Sequence, residues 1–374
     1  MNVVVIGGGM VGAAVALALA KHKHRVTVIE AAPEVISEGD WDLRISSVHL
    51  RNVQWLKQLG VWQHIRNERV FDYTDLAVQS RDGQRVNFSA AEINEQSLGA
   101  MVENNALQQA LWQQLRANKV TVLCETKVEQ FNLPAQTVTF SNGESLAYDL
   151  LIGADGAHSQ VAKAAGIGIR GWDYDMRCLL AIANVENELP SATWEVFRDK
   201  GPYALLPLSR HEACLIDYRS EQEWQQLCAQ PEQVHHELTA TFTPHIGPHN
   251  VLRFASFPLR RQRALSYHAH HSVVLIGDAA HSIHPLAGQG VNLGFADVQE
   301  LALQLSEQPL SAALPAYERA RVRENQQMMR AMDAIHVGFR SEHLLPRGIV
   351  AAGLAVVDKF APLKSALIRK ATGF

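Results

Sequence analysis

Thiols are scarce in this chain of 374 residues: Cys124, Cys178, Cys214 and Cys228 are its only four cysteines, far apart and without a C-x-x-C pair. That spacing excludes a zinc ribbon and a disulfide scaffold, so a reducing cytoplasm is the expected compartment. No run approaches the roughly eighteen apolar residues of a spanning helix; Gly348 to Val357, the longest toward the C-terminus, falls short. The apolar start reads as a strand entering a glycine turn, without the charged leader and cleavage site of a signal peptide, and export is not expected. Basic charge is thin too. A formal net charge of −4 and the lack of any block of like charge leave no field for gripping a phosphate backbone, so nucleic acid is not expected as a partner. Internal repeats and low-complexity tracts are missing as well.

What is present suits a globular protein of two interlocked domains, since the chain exceeds the size at which single cores stop growing. Asn2–Ile6 is a branched, strand-like run, Met10–Ala20 a helix rich in Ala, Leu and Val, and Arg25–Glu30 a second strand. This order is a βαβ unit. Ser46–Leu59 has helical spacing and stops at Gly60. Strand-like alternation with an Asp82-Gly83 turn follows between residues 70 and 100, then a helix over Ala106–Asn118 and strands at Val120–Leu123, Thr137–Phe140 and Leu150–Gly153. From Trp172 to Leu259 strands dominate, interrupted by a helix near Glu221–Thr241. After the strand Ser272–Ile276 nearly everything reads as helix.

Gly7, Gly9 and Gly12 complete a G-x-G-x-x-G turn between the first strand and helix, where backbone N–H groups and the helix dipole hold a pyrophosphate. Glu30, at the tip of the second strand, is the carboxylate expected to accept hydrogen bonds from a ribose diol. A second copy of the pattern, Gly166 to Gly171, is rejected because a helix precedes it and no acid-tipped strand follows. Asp155-Gly156 and Gly277-Asp278 each follow a buried strand, and Pro285, Gly288, Gly290, Val291 and Asn292 lie just beyond the second. Either aspartate alone reads equally well as a helix cap. Together and in this order they suit a flavin dinucleotide, with the acid on the ribityl chain and glycine N–H groups at the pyrophosphate and pyrimidine edge.

With these motifs the chain resembles the class A flavoprotein aromatic hydroxylases related to p-hydroxybenzoate hydroxylase, and most closely the ubiquinone-biosynthesis hydroxylases. Further matching segments are Asp42-Leu43-Arg44-Ile45-Ser46, Leu59-Gly60-Val61-Trp62, Met101-Val102-Glu103-Asn104, Gly201-Pro202, Leu205-Leu206-Pro207-Leu208 and Phe257-Pro258-Leu259. Within that branch it is similar to the members that act after the ring has gained its methoxy and methyl groups. Ala162-Lys163 and Asn104 depart from the pattern, since many relatives carry arginine there.

The resemblance implies an α/β fold: a Rossmann-like FAD-binding domain of the p-hydroxybenzoate hydroxylase type, an inserted β-sheet substrate domain and C-terminal helices. The expected boundaries are 1–69, 100–169 and 262–340 for the FAD domain, 70–99 and 170–261 for the substrate domain, and 341–374 for the helical tail. It further implies noncovalent FAD, reduction by NADH or NADPH, addition of O2 to give a C4a-hydroperoxide, and oxygen transfer to an electron-rich polyprenylated phenol or quinol. Arg44 would contact the flavin or its phosphates, Gln108 would lie near the cofactor, and Asp278 would hold the ribityl chain. Leu206 and Pro207 are candidate walls above the flavin, with plain core packing as the alternative. His281 and His284 are weak candidates for a base, a structural role being the expected one, and no third ligand is spaced for a metal.

The tail from Leu344 to Phe374 alternates apolar and basic residues. It suits an interfacial helix that reaches a polyprenyl tail at the inner membrane face, or one that docks to partners in a biosynthetic complex; the alternative is a helix covering the FAD domain. Two rival functions remain at this stage: a class A hydroxylase of a soluble aromatic compound, and a noncatalytic FAD-fold protein that binds a prenyl group.

Overall fold

The computed structural model describes residues 1–37, 39–282, 290–340 and 353–374, with the backbone alone for 331–340. Asn2–Ile6 lies inside a six-stranded sheet of order His268–Ala269, Val273–Leu275, Leu150–Gly153, Asn2–Ile6, Arg25–Ile29, Thr121–Leu123. Every neighbouring pair is parallel except the first. Both faces of the central strands are covered, which is why they read as Val, Ile and Leu runs. Leu17, Leu111 and Phe295, from the helices Met10–Lys21, Asn104–Ala117 and Gly290–Glu307, are fully buried in the core around this sheet. Ile6 is in register with Ile29 and Gly153, and Gly153 with Leu275. The three glycine-bearing turns therefore leave the sheet from one edge, at the carboxyl ends of its strands.

A second, eight-stranded sheet runs His281–Ser282, His249–Ala264, Ile169–Val185, Glu212–Ser220, Tyr203–Pro207, Ala192–Val196, Asp75–Gln79, Arg85–Ser89. Its pairs are antiparallel apart from Ala192–Val196 with Asp75–Gln79. One face buries Leu179, Ala181, Leu205 and Leu215 beneath the helices Glu221–Cys228 and Pro231–Ile246. A three-stranded sheet, Ile45–His49, Gly99–Glu103, Val70–Tyr73, packs near the opposite face through Ile45, Phe71 and Met101.

Two local expectations change. Ser46–His49 is strand, not helix: Ser46 and Val48 are buried in alternation, and the helix is Leu50–Gln58. The His49 ring starts it by accepting a hydrogen bond from Asn52 N at 3.2 Å, so apolar spacing extending back to Val48 belongs to two elements. The single helix expected over Glu221–Thr241 is two, separated at Pro231, which occupies the first turn of the second as proline's missing N–H permits.

The C-terminal helix Ala361–Thr372 does not lie over the parallel sheet. It packs on Ala90–Ile93 through Ile368, with Lys364 Nζ 3.0 Å from Glu92 and Arg51 donating to Gly373 O at 2.8 Å. No helix among the described residues is long and apolar enough to cross a membrane.

Candidate functional site

The first turn is built by steric necessity at two glycines and by vacancy at a third. A Cβ on Gly7, whose φ is +99°, would stand 2.4 Å from Ala154 O, and one on Gly12 would stand 1.9 Å from Gly7 O. Those residues let the strand and helix close on each other. A Cβ on Gly9 would meet no described atom within 4 Å, and Gly9 precedes the helix without a side-chain cap. Open space at an uncapped helix N-terminus suits a pyrophosphate.

Gly8 holds the turn in place. Its N–H donates to Glu30 Oε2 at 2.6 Å, and its carbonyl accepts from Gln108 Nε2 at 3.0 Å and Trp112 Nε1 at 2.7 Å. Glu30 Oε1 also accepts from Ala32 N at 2.8 Å. Each Glu30 oxygen thus keeps a lone pair for a hydroxyl donor, while the Gln108 amide is committed to backbone. Trp112, which sequence reasoning passed over, stands four residues after Gln108 and so shares its helix face.

Asp155 caps a helix with one oxygen and leaves the other without a described partner. Its Oδ2 caps the helix Gln160–Ala164 by accepting from Gln160 N at 2.7 Å and Val161 N at 3.2 Å. Its Oδ1 is buried without a hydrogen-bond partner, and a Cβ on neighbouring Gly156 would meet nothing within 4 Å. A sealed carboxylate oxygen beside open space is the arrangement a hydroxyl donor completes. The rejected copy of the glycine pattern, around Gly166–Gly171, runs straight into the strand Ile169–Val185, so no helix N-terminus faces a ligand there.

The third turn is drawn onto the first by one side chain. Val11 Cγ atoms would lie 3.2 Å from a Cβ on Gly277 and 2.5 Å from one on Gly294, so the Gly277-Asp278 turn and the helix Gly290–Glu307 converge on the first turn. Asp278 is exposed, and no described group donates a hydrogen bond to it. The protein mass around it raises its pKa, with the charge of His281 opposing, as for a carboxylate opening into a recess. A Cβ on Gly290 would meet no described atom within 4 Å. The Asn292 side chain accepts from His49 N at 3.1 Å and Asn52 Nδ2 at 3.0 Å and donates to Ser47 O at 2.7 Å. It anchors the helix start to the neighbouring chain. Arg44 is exposed, engaged through its backbone with Asp42 and Asn104. His284, Pro285 and Gly288 lie outside the described residues.

His281 is buried and bonded to protein. Its Nε2 lies 2.5 Å from Asp297 Oδ2, which also accepts from Gly277 N at 2.9 Å; Oδ1 accepts from Arg321 Nε at 2.8 Å and Asn325 Nδ2 at 3.3 Å. Burial raises the Asp297 pKa, but the charge and hydrogen bond of His281 and the Arg321 guanidinium outweigh it and hold the carboxyl at about 2. This network fixes the amide of Gly277, next to Asp278. Asp297, Arg321 and Asn325 come from two helices and carried no sequence signal beyond being polar residues at helix positions that are otherwise apolar.

The face of the eight-stranded sheet opposite its two covering helices carries the apolar cluster that includes Leu206. Leu206 is half-buried there among Leu43, Ile45, Leu180 and Ile216, whereas Pro207 is buried opposite Ala213. Leu206 can line a chamber; Pro207 belongs to the interior.

An FAD binding domain family model matches residues 1–332. The chain is 39% identical to the 3-demethoxyubiquinol 3-hydroxylase of Escherichia coli, covering 98% of each protein. It is 32% identical to a ubiquinone hydroxylase of Rhodospirillum rubrum over 100% of this chain and 89% of that one. Among solved structures, p-nitrophenol 4-monooxygenase from Pseudomonas putida DLL-E4 shares the fold with a TM-score of 0.82 at 20% identity, over 98% of this chain and 96% of that one. Anhydrotetracycline hydroxylase from Streptomyces rimosus does so at 0.73 and 22%, over 100% and 76%. Glycine turns gathered at one sheet edge, open space at Gly9, Gly156 and Gly290, and a full-length match to flavin hydroxylases agree: the chain belongs to the FAD binding domain family, as an FAD-dependent monooxygenase of the branch whose curated members are ubiquinone-biosynthesis hydroxylases.

Proposed function

We propose that the protein hydroxylates the aromatic ring of a polyprenylated phenol or benzoquinol on the route to ubiquinone, with NAD(P)H as reductant and O2 as oxygen donor. The observation that carries this reading is similarity over the whole chain to a 3-demethoxyubiquinol 3-hydroxylase and a ubiquinone hydroxylase, beside a partly buried apolar cluster of Leu43, Ile45, Leu180, Leu206 and Ile216 on the eight-stranded sheet. A polar lining would suit a soluble aromatic acid instead; apolar side chains such as these suit a lipid-tailed ring.

FAD, when bound, supplies the oxygen-activating chemistry. The protein's part divides between its two large sheets, which we assign to cofactor and substrate respectively. Gly9 and the N–H groups after it hold phosphate, Glu30 holds the ribose diol, and Asp155 and Asp278 accept hydroxyl hydrogens. Backbone N–H groups from Gly290 onward offset negative charge, as helix N-termini do. Leu206 and its neighbours orient the ring and keep water out.

The C-terminal helix supports peripheral membrane contact. Lys364, Ile368 and Thr372 form its docked face, while Phe360, Leu363 and Leu367 stay exposed at helical spacing with Arg369 and Lys370 beside them. An apolar stripe flanked by cations is the pattern of an interfacial helix.

Complementation of bacterial strains blocked at single ubiquinone hydroxylation steps tests the function. Restored quinone in one strain identifies the ring position; restoration in none, with flavin-loaded protein present, removes the reading.

A further inference from the structure

The face of the eight-stranded sheet that carries Leu180 and Ile216 also carries a carboxylate that no pairing explains. Residues paired across neighbouring strands project from the same face, and the register runs Val78, Glu195, Ala204, Ile216, Leu180 across five strands. Glu195 therefore shares its face with the apolar wall, whereas its neighbour Trp194 turns to the other core. Glu195 Oε1 is buried without a hydrogen-bond partner among the described residues. Leaving such a group unpaired is costly, and buried unpaired groups cluster where a ligand completes them.

Resting on the proposed ring hydroxylation, we propose that Glu195 is the catalytic base of this site, whose carboxylate accepts the proton of the substrate's ring hydroxyl. The ring O–H bond breaks and an O–H bond forms at Glu195. The electron pair stays on the ring oxygen and spreads to the carbons ortho and para to it, one of which then takes up the electrophilic oxygen delivered at the cofactor. No further oxidant or reductant is needed for the proton transfer.

The surroundings suit this task. Burial alone pushes the Glu195 carboxyl up to about 8. A phenol titrates near 10, so the equilibrium for taking its proton improves on the order of a thousandfold over an ordinary carboxylate. The titratable groups that interact with Glu195 are Cys178 and Tyr218, a cross-strand pair on this face whose pKa values burial also raises. Asp42 lies farther along, toward Cys214. Among the described residues no cation offsets the effect of burial on this carboxylate, so the base is strong when formed.

The test compares flavin-loaded wild type, Glu195→Gln and Glu195→Asp, using a short-chain prenylated phenol and its O-methyl ether, with product and NAD(P)H oxidation measured between pH 6 and 9.5. Wild-type product formation should rise about tenfold per pH unit and level near pH 8. Glu195→Gln should keep its flavin and its substrate-induced flavin spectral change, lose on the order of a hundredfold or more in kcat, and show no inflection; Glu195→Asp should recover part of the rate together with the inflection. The methyl ether should give no product with any form. Hydroxylation by Glu195→Gln within threefold of wild type, or a flat wild-type profile, overturns the assignment. Wild type that hydroxylates no prenylated phenol overturns the functional reading beneath it, an outcome distinguishable because the variants then play no part.

Discussion

Asp297→Asn is the sharpest probe of how the cofactor turns are held. The substitution keeps shape and removes charge from a fully buried carboxylate that accepts hydrogen bonds from Gly277, His281, Arg321 and Asn325. Arg321, only 4% exposed, is then left without its buried counter-charge. Breaking a buried pair in this way costs about 3–5 kcal/mol. At roughly 2 °C per kcal/mol for a chain of this size, the melting temperature should fall by roughly 6–10 °C. Because the same carboxylate fixes Gly277 N, flavin retention should fall with it. The pH dependence has a definite sign. The Asp297 pKa drops from 3.8 to about 2 on folding, so its contribution, about 2 kcal/mol by linkage, is present above pH 3.8 and lost as the pH falls through about 2. Thermal release of flavin fluorescence, with the flavin-to-protein absorbance ratio, measures both effects, and the gap between wild type and variant should narrow below pH 4. Asp173→Asn, at the exposed ion pair with Arg260, should change little. A variant that melts within 2 °C of wild type at pH 7 with full flavin would refute the role given to this network.

The glycines of the first turn should separate folding from binding. Gly12→Ala drives a Cβ into Gly7 O and should destabilise the chain by about 3 kcal/mol or more, whereas Gly9→Ala, with no protein atom within 4 Å, should melt normally without flavin yet retain tenfold less of it; denaturant titrations of flavin-free protein and flavin binding isotherms check the pair. Glu195→Gln should stabilise the protein increasingly between pH 4.5 and 8, by at most about 5 kcal/mol, because the folded pKa of about 8 makes the wild type lose stability as pH rises through that window. Parallel melting curves at pH 5.5 and 8.5 would disprove it if the gap stayed constant. Replacing Phe360 and Leu367 together by glutamate should cut co-sedimentation with anionic liposomes severalfold while leaving flavin content intact; unchanged pelleting counts against the interfacial helix.

The first turn was legible in sequence because its elements are consecutive: Gly7 to Gly12 sit between a strand and a helix whose periods are plain. Sequence also ordered Asp155 and Gly277-Asp278 after buried strands, and the parallel register puts all three at one sheet edge. Less accessible were contacts made at a distance. Gln108 and Trp112 meet Gly8 across about a hundred residues, and Asp297 reads as one more polar helix residue until Arg321 and Gly277 close on it. Glu195 was hidden differently. In Ala192–Val196 an acidic residue between Trp194 and Val196 looks like the solvent side of an alternating strand, but this sheet carries apolar clusters on both faces. Ser46–His49 was misread because Val48 fits the helical spacing that continues at Val53 and Leu56.

The order of strands in the parallel sheet has a consequence for synthesis. Asn2–Ile6 gains one neighbour within thirty residues but waits for Leu150–Gly153 to flank its other side, and that strand in turn stays uncovered until Val273–Leu275 has been made. A nascent chain halted between residues 153 and 273 presents a bare Leu-Leu-Ile edge to other unfinished chains, an invitation to intermolecular pairing. Flavin bound at the proposed site cannot relieve that hazard early, since the helix assigned to that site, Gly290–Glu307, is made only after these strands. Chaperone capture of the growing polypeptide should therefore peak over its middle third, and premature termination there should yield aggregates rather than a half-active fragment.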